Sequence, residues 1–235
     1  NELSDEENNT ISKIEEKLFQ IRLKRSKPFF DDKSQTDLNS YLLDTLIQAS
    51  VILDDENLKK ETLNILKILE EKLSNKIYHC YESSEIDVFL EDYVYQAMLF
   101  ITLYEVDGDE KSLEKSITLM KEIWEIFYNK DNQLLQKNRI KKNDLFVNPI
   151  DLNDNNIPNG NSVYLNLCNK LYIITNEKIW FEKIEILKKS FHQVLNSFFS
   201  QMFSFIKTLD MCEDSISFTF FGNIDLIKDV KNNLQ

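Results

Sequence analysis

Two kinds of helix alternate along this chain of 235 residues, and that alternation limits the fold more than any other feature. Segments 39–53, 93–104 and 163–174 are apolar on nearly every side. Each is followed by a segment whose apolar residues fall on one stripe. The stripes are Leu58, Ile65, Leu66, Leu69 and Leu73, then Leu113, Ile117, Met120, Trp124 and Phe127, then Phe181, Ile184, Leu187, Phe191 and Val194. A helix apolar all round is expected to be buried all round, and a striped one only on one face. The joints Asp54-Asp55-Glu56, Asp107-Gly108-Asp109-Glu110 and Thr175-Asn176-Glu177 supply capping side chains and acids where helix N–H groups are unpaired. The pattern predicts an all-α chain of helical hairpins, with an inner layer of buried helices inside an outer layer of half-buried ones. Its repeat of about 55 to 68 residues is longer than the roughly 34 to 47 of simple solenoids.

Three glycines and three prolines are too few for the frequent turns of an all-β fold. With 28 Lys+Arg against 40 Asp+Glu the net charge is −12, which disfavours nucleic acid and anionic membrane as partners. No apolar run approaches the ~18 residues of a membrane span, and the polar, acidic residues 1–9 do not resemble a signal peptide. Cys80, Cys168 and Cys212 are odd in number and share no CxxC spacing, so neither a disulfide framework nor a zinc site is predicted, and a reducing cytoplasm fits. His79 and His192 stand apart without ligand spacing, so no metal and no other cofactor is expected. An amphipathic helix with Ile11, Ile14, Leu18, Ile21 and Leu23 precedes the hairpins and ends in the basic cluster 22–27 before Pro28. Two stretches break the helical rule. Within 133–151, Leu134-Leu135 and Leu145-Phe146-Val147 are expected to pair as a short hairpin, and 215–220 alternates with period two as a strand before a last helix from Ile224. One domain is expected.

Three motifs carry a resemblance. Arg25-x-x-Pro28-x-x-Asp31-Asp32-Lys33-x-x-Thr36-x-x-Asn39, then Glu91-Asp92-Tyr93, then Ile157-Pro158-Asn159-Gly160-Asn161-Ser162 resemble, in order and spacing, the C-terminal half of the thioredoxin-domain-containing proteins related to spermatogenesis-associated protein 20, also called YyaL-like. The resemblance covers residues 15–232. It implies an (α/α) toroid similar to the six-hairpin glycosidases and the N-acylglucosamine 2-epimerases. A closed ring of six hairpins needs twelve helices, whereas seven or eight are read here, so the chain is expected to be the C-terminal part of such a toroid. The family's thioredoxin-like domain and its cysteine pair have no counterpart, and no redox activity is expected. Where the family has Thr-x-Trp-Asn-Gly, this chain has Thr36-Asp37-Leu38-Asn39-Ser40, without the Trp on which a sugar face would stack.

All three motifs stand at the entrance of an inner helix, which in a toroid gathers them at one end of the funnel. There the resemblance places Asp31, Asp32, Lys33, Asn39, Asp92, Tyr93, Asn161 and Ser162 around one cleft. Asp31, Asp32 and Asp92 are candidates for an acid/base pair acting on a sugar, or else cap helices and pair with Lys33 or Arg25. Lys33, Asn39, Tyr93, Asn161 and Ser162 are candidate substrate contacts. Asn161 and Ser162 also suit the N-cap of the third inner helix, with Gly160 allowing φ > 0 or a close approach, and Tyr93 and Tyr95 suit either core or cleft wall. The implied function is acid/base chemistry on a small carbohydrate. The alternative, motivated by the lost Trp and Gly at positions 38 and 40, is a non-catalytic helical scaffold that binds a protein partner or the family's thioredoxin-like domain.

Overall fold

In the computed structural model, which describes residues 4–73, 76–81, 87–139 and 147–214, several helices begin where unpaired N–H groups find acceptors. The chain divides into two compact units, residues 1–33 and 34–235. The first holds α1 (Asp5–Leu23). Ser4 caps it: its hydroxyl accepts from the Glu7 N–H, and the Glu7 carboxylate accepts from the Ser4 N–H at 2.8 Å. No residue of α1 is buried.

The second unit holds α2 (Thr36–Ile52), α3 (Glu56–Leu73), α4 (Leu90–Asp107), α5 (Glu110–Phe127), α6 (Gly160–Thr175), α7 (Lys178–Phe198) and α8 (Phe203–Asp214). Helix α4 packs on α2 and on α6, and α6 packs on α8. Helices α3, α5 and α7 each lie against the helix that precedes them. This is the inner and outer layering that the alternation predicts, and α8 adds a further inner helix that the sequence analysis does not contain. No helix among the described residues is long and apolar enough to cross a membrane.

Two of the three joints work as their residues suggest, whereas at the third the N-cap of α7 is Glu177, which makes no side-chain capping hydrogen bond. Asp55 accepts from the N–H groups of Asn57 and Leu58, both at 3.0 Å, and Asp109 from that of Lys111 at 3.2 Å. Helix α4 ends at Gly108, whose φ of +70° is left-handed and whose N–H returns to the Tyr104 carbonyl at 2.8 Å.

Two expectations are corrected, and a third is extended. Helix α2 is not buried all round: within the second unit it has α3 and α4 as neighbours, and Leu38 and Leu42 remain 47% and 53% exposed. The short hairpin joins β1 (Tyr128–Asn129) to β2 (Leu134–Leu135), with Tyr128 opposite Leu135, so Leu134-Leu135 has an upstream partner that the sequence analysis does not contain. The N-cap of α6 is Asn159, not Asn161 or Ser162; its Oδ1 accepts from the Ser162 N–H at 2.9 Å. The predicted strand at 215–220 and the helix from Ile224 lie outside the described residues, as do Leu145 and Phe146.

Two apolar clusters fill the second unit. The larger joins α4 through α8 and contains Tyr95, Met120, Phe127, Tyr164, Trp180 and Phe191, each fully buried. Burying one such side chain contributes about 1.5–3 kcal/mol. The smaller, with Leu43, Ile47, Leu69, Leu99, Phe100 and Leu103, joins α2, α3 and α4. At their starts, α6 and α8 are also linked by a polar contact. Asp154 Oδ1 accepts from the N–H and side-chain amide of Asn159 at 3.0 and 2.9 Å, while Oδ2 accepts from the Ser204 N–H at 2.6 Å, in the first turn of α8. One carboxylate thereby braces the starts of both helices.

Candidate functional site

Helices α2, α4 and α6 begin side by side, and each start is held by a segment that is not itself helical. The strand-like stretch 76–81 crosses before α2: Thr36 N–H donates to the His79 carbonyl at 2.9 Å, and Tyr81 N–H to that of Ser34 at 3.0 Å. Lys137 does the same for α4, accepting from the Leu90 N–H at 3.0 Å. These contacts satisfy N–H groups that a helix cannot satisfy itself.

Asp92 ties the arrangement together. It is fully buried, and its carboxylate accepts from the Phe89 N–H at 2.8 Å, the Asp37 N–H at 3.2 Å and the His79 ring at Nδ1 at 3.0 Å. Burial raises this carboxyl to about 6, against the opposing pull of the Phe89 N–H and His79. The other ring nitrogen of His79 meets the Gln35 side chain at 3.1 Å. Asp37, His79 and Asp92 each bring a potential ligand atom within 4.8 Å of the others, the donor set among the described residues best suited to a cation. Both oxygens of Asp92 are already engaged with N–H groups, however, so the three serve each other as a clamp between α2, α4 and the 76–81 stretch.

Next to Asp92, the Glu91 carboxyl points toward the start of α6. A methyl group placed on Gly160 would meet Glu91 Oε1 at 3.1 Å and the Leu90 side chain at 2.8 Å, so Gly160 is there for close approach and not for an unusual φ. Burial raises the Glu91 carboxyl above its ordinary value, with Asp151 and Asp92 adding repulsion and Lys137 opposing. Its Oε2 is buried and has no hydrogen-bond partner among the described residues. Tyr95 donates its hydroxyl to the Pro158 carbonyl and leans on Tyr41 at 5.2 Å between ring centres.

The other candidates fall in different places. Asp31, Asp32 and Lys33 belong to the first unit and are exposed; Asp31 and Lys33 pair with each other at 3.1 Å. Asn39 returns its side-chain amide to the Gln35 carbonyl at 2.7 Å in the first turn of α2. Tyr93 is buried against Phe127 at 5.6 Å, and its hydroxyl faces Arg139. Asn161 is consumed by β2: it accepts from the Leu135 N–H and donates to the Leu135 carbonyl, both at 2.9 Å. Ser162 Oγ accepts from the Asn159 amide at 2.9 Å. Glu91 and His79 are the residues that the sequence reading did not place in the site. Glu91 stands in a motif quoted above, and His79 carries no local signal, because its partner is 13 residues away.

No protein-family model matches this sequence, and no curated protein matches it. Solved structures do. The GH76A alpha-1,6-mannanase from Salegentibacter sp. HEL1_6 superposes with a TM-score of 0.54 at 16% identity over 67% of this chain. A glycoside hydrolase family 76 mannosidase from Bacteroides thetaiotaomicron VPI-5482 gives 0.50 at 12% over 68%. The fold is that of the six-hairpin (α/α) glycosidases. The chain spans less than half the length of these structures, 46% and 44%. The Salegentibacter mannanase is also known as an inactive variant with two consecutive aspartates replaced by asparagine, in complex with alpha-1,6-mannotriose.

Proposed function

We propose that the second unit is part of a carbohydrate-processing toroid, that the starts of α2, α4 and α6 face the sugar, and that Glu91 is the proton donor. The observation that carries this reading is the pair of consecutive carboxyls Glu91-Asp92 at the start of an inner helix, in a fold whose mannanase relative is inactive without two consecutive aspartates. Glu91 has the properties of a general acid: burial favours its protonated form, and one oxygen has no partner in the protein. Asp92 has a different part. With its oxygens engaged by Phe89, Asp37 and His79, it fixes the backbone from which Glu91 projects. On this reading the chain's likeness to the spermatogenesis-associated protein 20 family and its mannanase-like fold describe the same toroid.

The test is thermal unfolding of the full natural chain with alpha-1,6-mannotriose and a wider panel of sugars, followed by mass spectrometry of the products. A ligand at 100 times its Kd adds about 2.7 kcal/mol of stability. The expected result is a raised Tm in both wild type and Glu91→Gln, with turnover in wild type alone. A second reading, a protein-binding scaffold, is favoured by the internal consumption of Asp92 and Asn161. Absence of a shift with every sugar would replace the first reading with the second.

A further inference from the structure

The first unit presents an apolar face that none of the described residues covers. Ile11, Ile14, Leu18 and Ile21 of α1 are between 40% and 60% exposed, and no residue of that helix is buried. They follow one another at steps of three, four and three residues, the spacing of a two-stranded coiled-coil seam. The next residues along the same seam, four positions out at either end, are Glu7 and Arg25. Arg25 stays near that line because its N–H returns to the Arg22 carbonyl at 3.0 Å, which carries the turn past the end of the helix. Charge is sorted along the whole segment: Asp5, Glu6 and Glu7 open it, and Arg22, Lys24, Arg25 and Lys27 close it. A like helix running the same way would set acids against acids and bases against bases. An anionic membrane would meet the three acids at one end and a chain of net charge −12 behind them. The partner that fits carries an aliphatic stripe with its charges in the reverse order, and a second copy of α1 running antiparallel is such a partner.

We propose that this face is a homodimer interface in which two copies of α1 pair antiparallel about a two-fold axis beside Glu16. Ile11 then lies opposite Ile21 of the second copy, and Ile14 opposite its Leu18, so every layer of the seam is aliphatic. Glu7 stands opposite Arg25 and Asp5 opposite Lys27, at both ends at once, because a two-fold contact uses the same patch on both copies. Nearest the axis, Glu15 and Lys17 flank the seam and each faces its own copy. These like-charge pairs, with only four aliphatic residues in the seam, hold the association weak. The interface is independent of the carbohydrate reading, which rests on the second unit alone.

The test is sedimentation equilibrium of the full chain, in which a monomer and dimer should exchange with a Kd on the order of tens of micromolar. Leu18→Glu should abolish the dimer and, since α1 buries nothing, leave the Tm of the second unit unchanged. Arg25→Glu sets like charges together at both ends and should weaken the dimer about tenfold, the equivalent of about 1.4 kcal/mol. Glu7→Arg should weaken it too, but it also removes the acceptor of the Ser4 N–H, so the deciding sample is the two variants mixed. In the mixture opposite charges face each other again at both ends, and association should be tighter than in either variant alone. Ile68→Ser, at an exposed position of α3, should leave the Kd of the dimer unchanged. The proposal is overturned by a monomer up to about ten times the expected Kd, by a dimer that survives Leu18→Glu, by wild-type affinity in Arg25→Glu, or by a mixture no tighter than Arg25→Glu alone. A monomer that instead sediments with vesicles of phosphatidylcholine and phosphatidylserine would overturn it as well and assign the face to lipid.

Discussion

At Asp92 two effects oppose each other, and their balance sets a pH dependence. Three donors favour the carboxylate, while complete burial favours the protonated acid and prevails, raising the group to about 6. An aspartate in the unfolded chain titrates near ~3.9. Between these values the native state holds the proton more tightly than the unfolded state, so this group's contribution is fully present below about pH 4 and is lost as pH rises through 6. Asp92→Asn should remove that slope. It should also cost about 1–3 kcal/mol at every pH, since the new side chain keeps one acceptor for the donors of Phe89, Asp37 and His79. Urea unfolding of both proteins at pH 4, 5, 6 and 7 measures this, and parallel curves would contradict the assignment.

Among the elements, the contact between α4 and α6 depends on a missing methyl group. A Cβ at Gly160 would sit 2.8 and 2.9 Å from Leu90 Cδ2 and Cγ, and Leu90 is itself buried. Gly160→Ala should therefore lower stability by about 1–3 kcal/mol through overpacking, and circular-dichroism melting that shows no loss would mean that the two helices part easily. The helices themselves were legible because periodicity is local: Leu113 to Phe127 reads as one stripe, and its buried face contains Met120, Ile123 and Phe127. The cap of α6 was not. Asn159, Asn161 and Ser162 are all good capping residues, and what separates them is the grip of Asn161 on Leu135, 26 residues away. The same holds for the site. Glu91-Asp92 is visible as a pair of acids at a helix start, but which carboxyl is committed to the protein depends on His79 and Asp37, whose positions follow from packing. The exposure of Leu38 and Leu42 on α2 has the same origin, since an apolar sequence states a capacity for burial and only neighbouring helices fulfil it.

At the scale of the second unit, the row α2, α4, α6, α8 grows by one neighbour at a time, as in a repeat protein, and such rows lose structure stepwise from their ends unless something couples the units. Asp154 is such a coupling. Because a single carboxylate holds the Asn159 amide on one side and the Ser204 amide on the other, α8 cannot fray without leaving that acid half satisfied at the root of α6. The two amides should consequently exchange with deuterium at matching opening free energies in the native state, and Asp154→Ala should accelerate both together. Independent exchange rates would refute the coupling. If they match, the last two inner helices form one cooperative unit, and the unit's capacity to resist proteolysis at 199–203 is decided 45 residues or more upstream, in a loop with no regular secondary structure of its own.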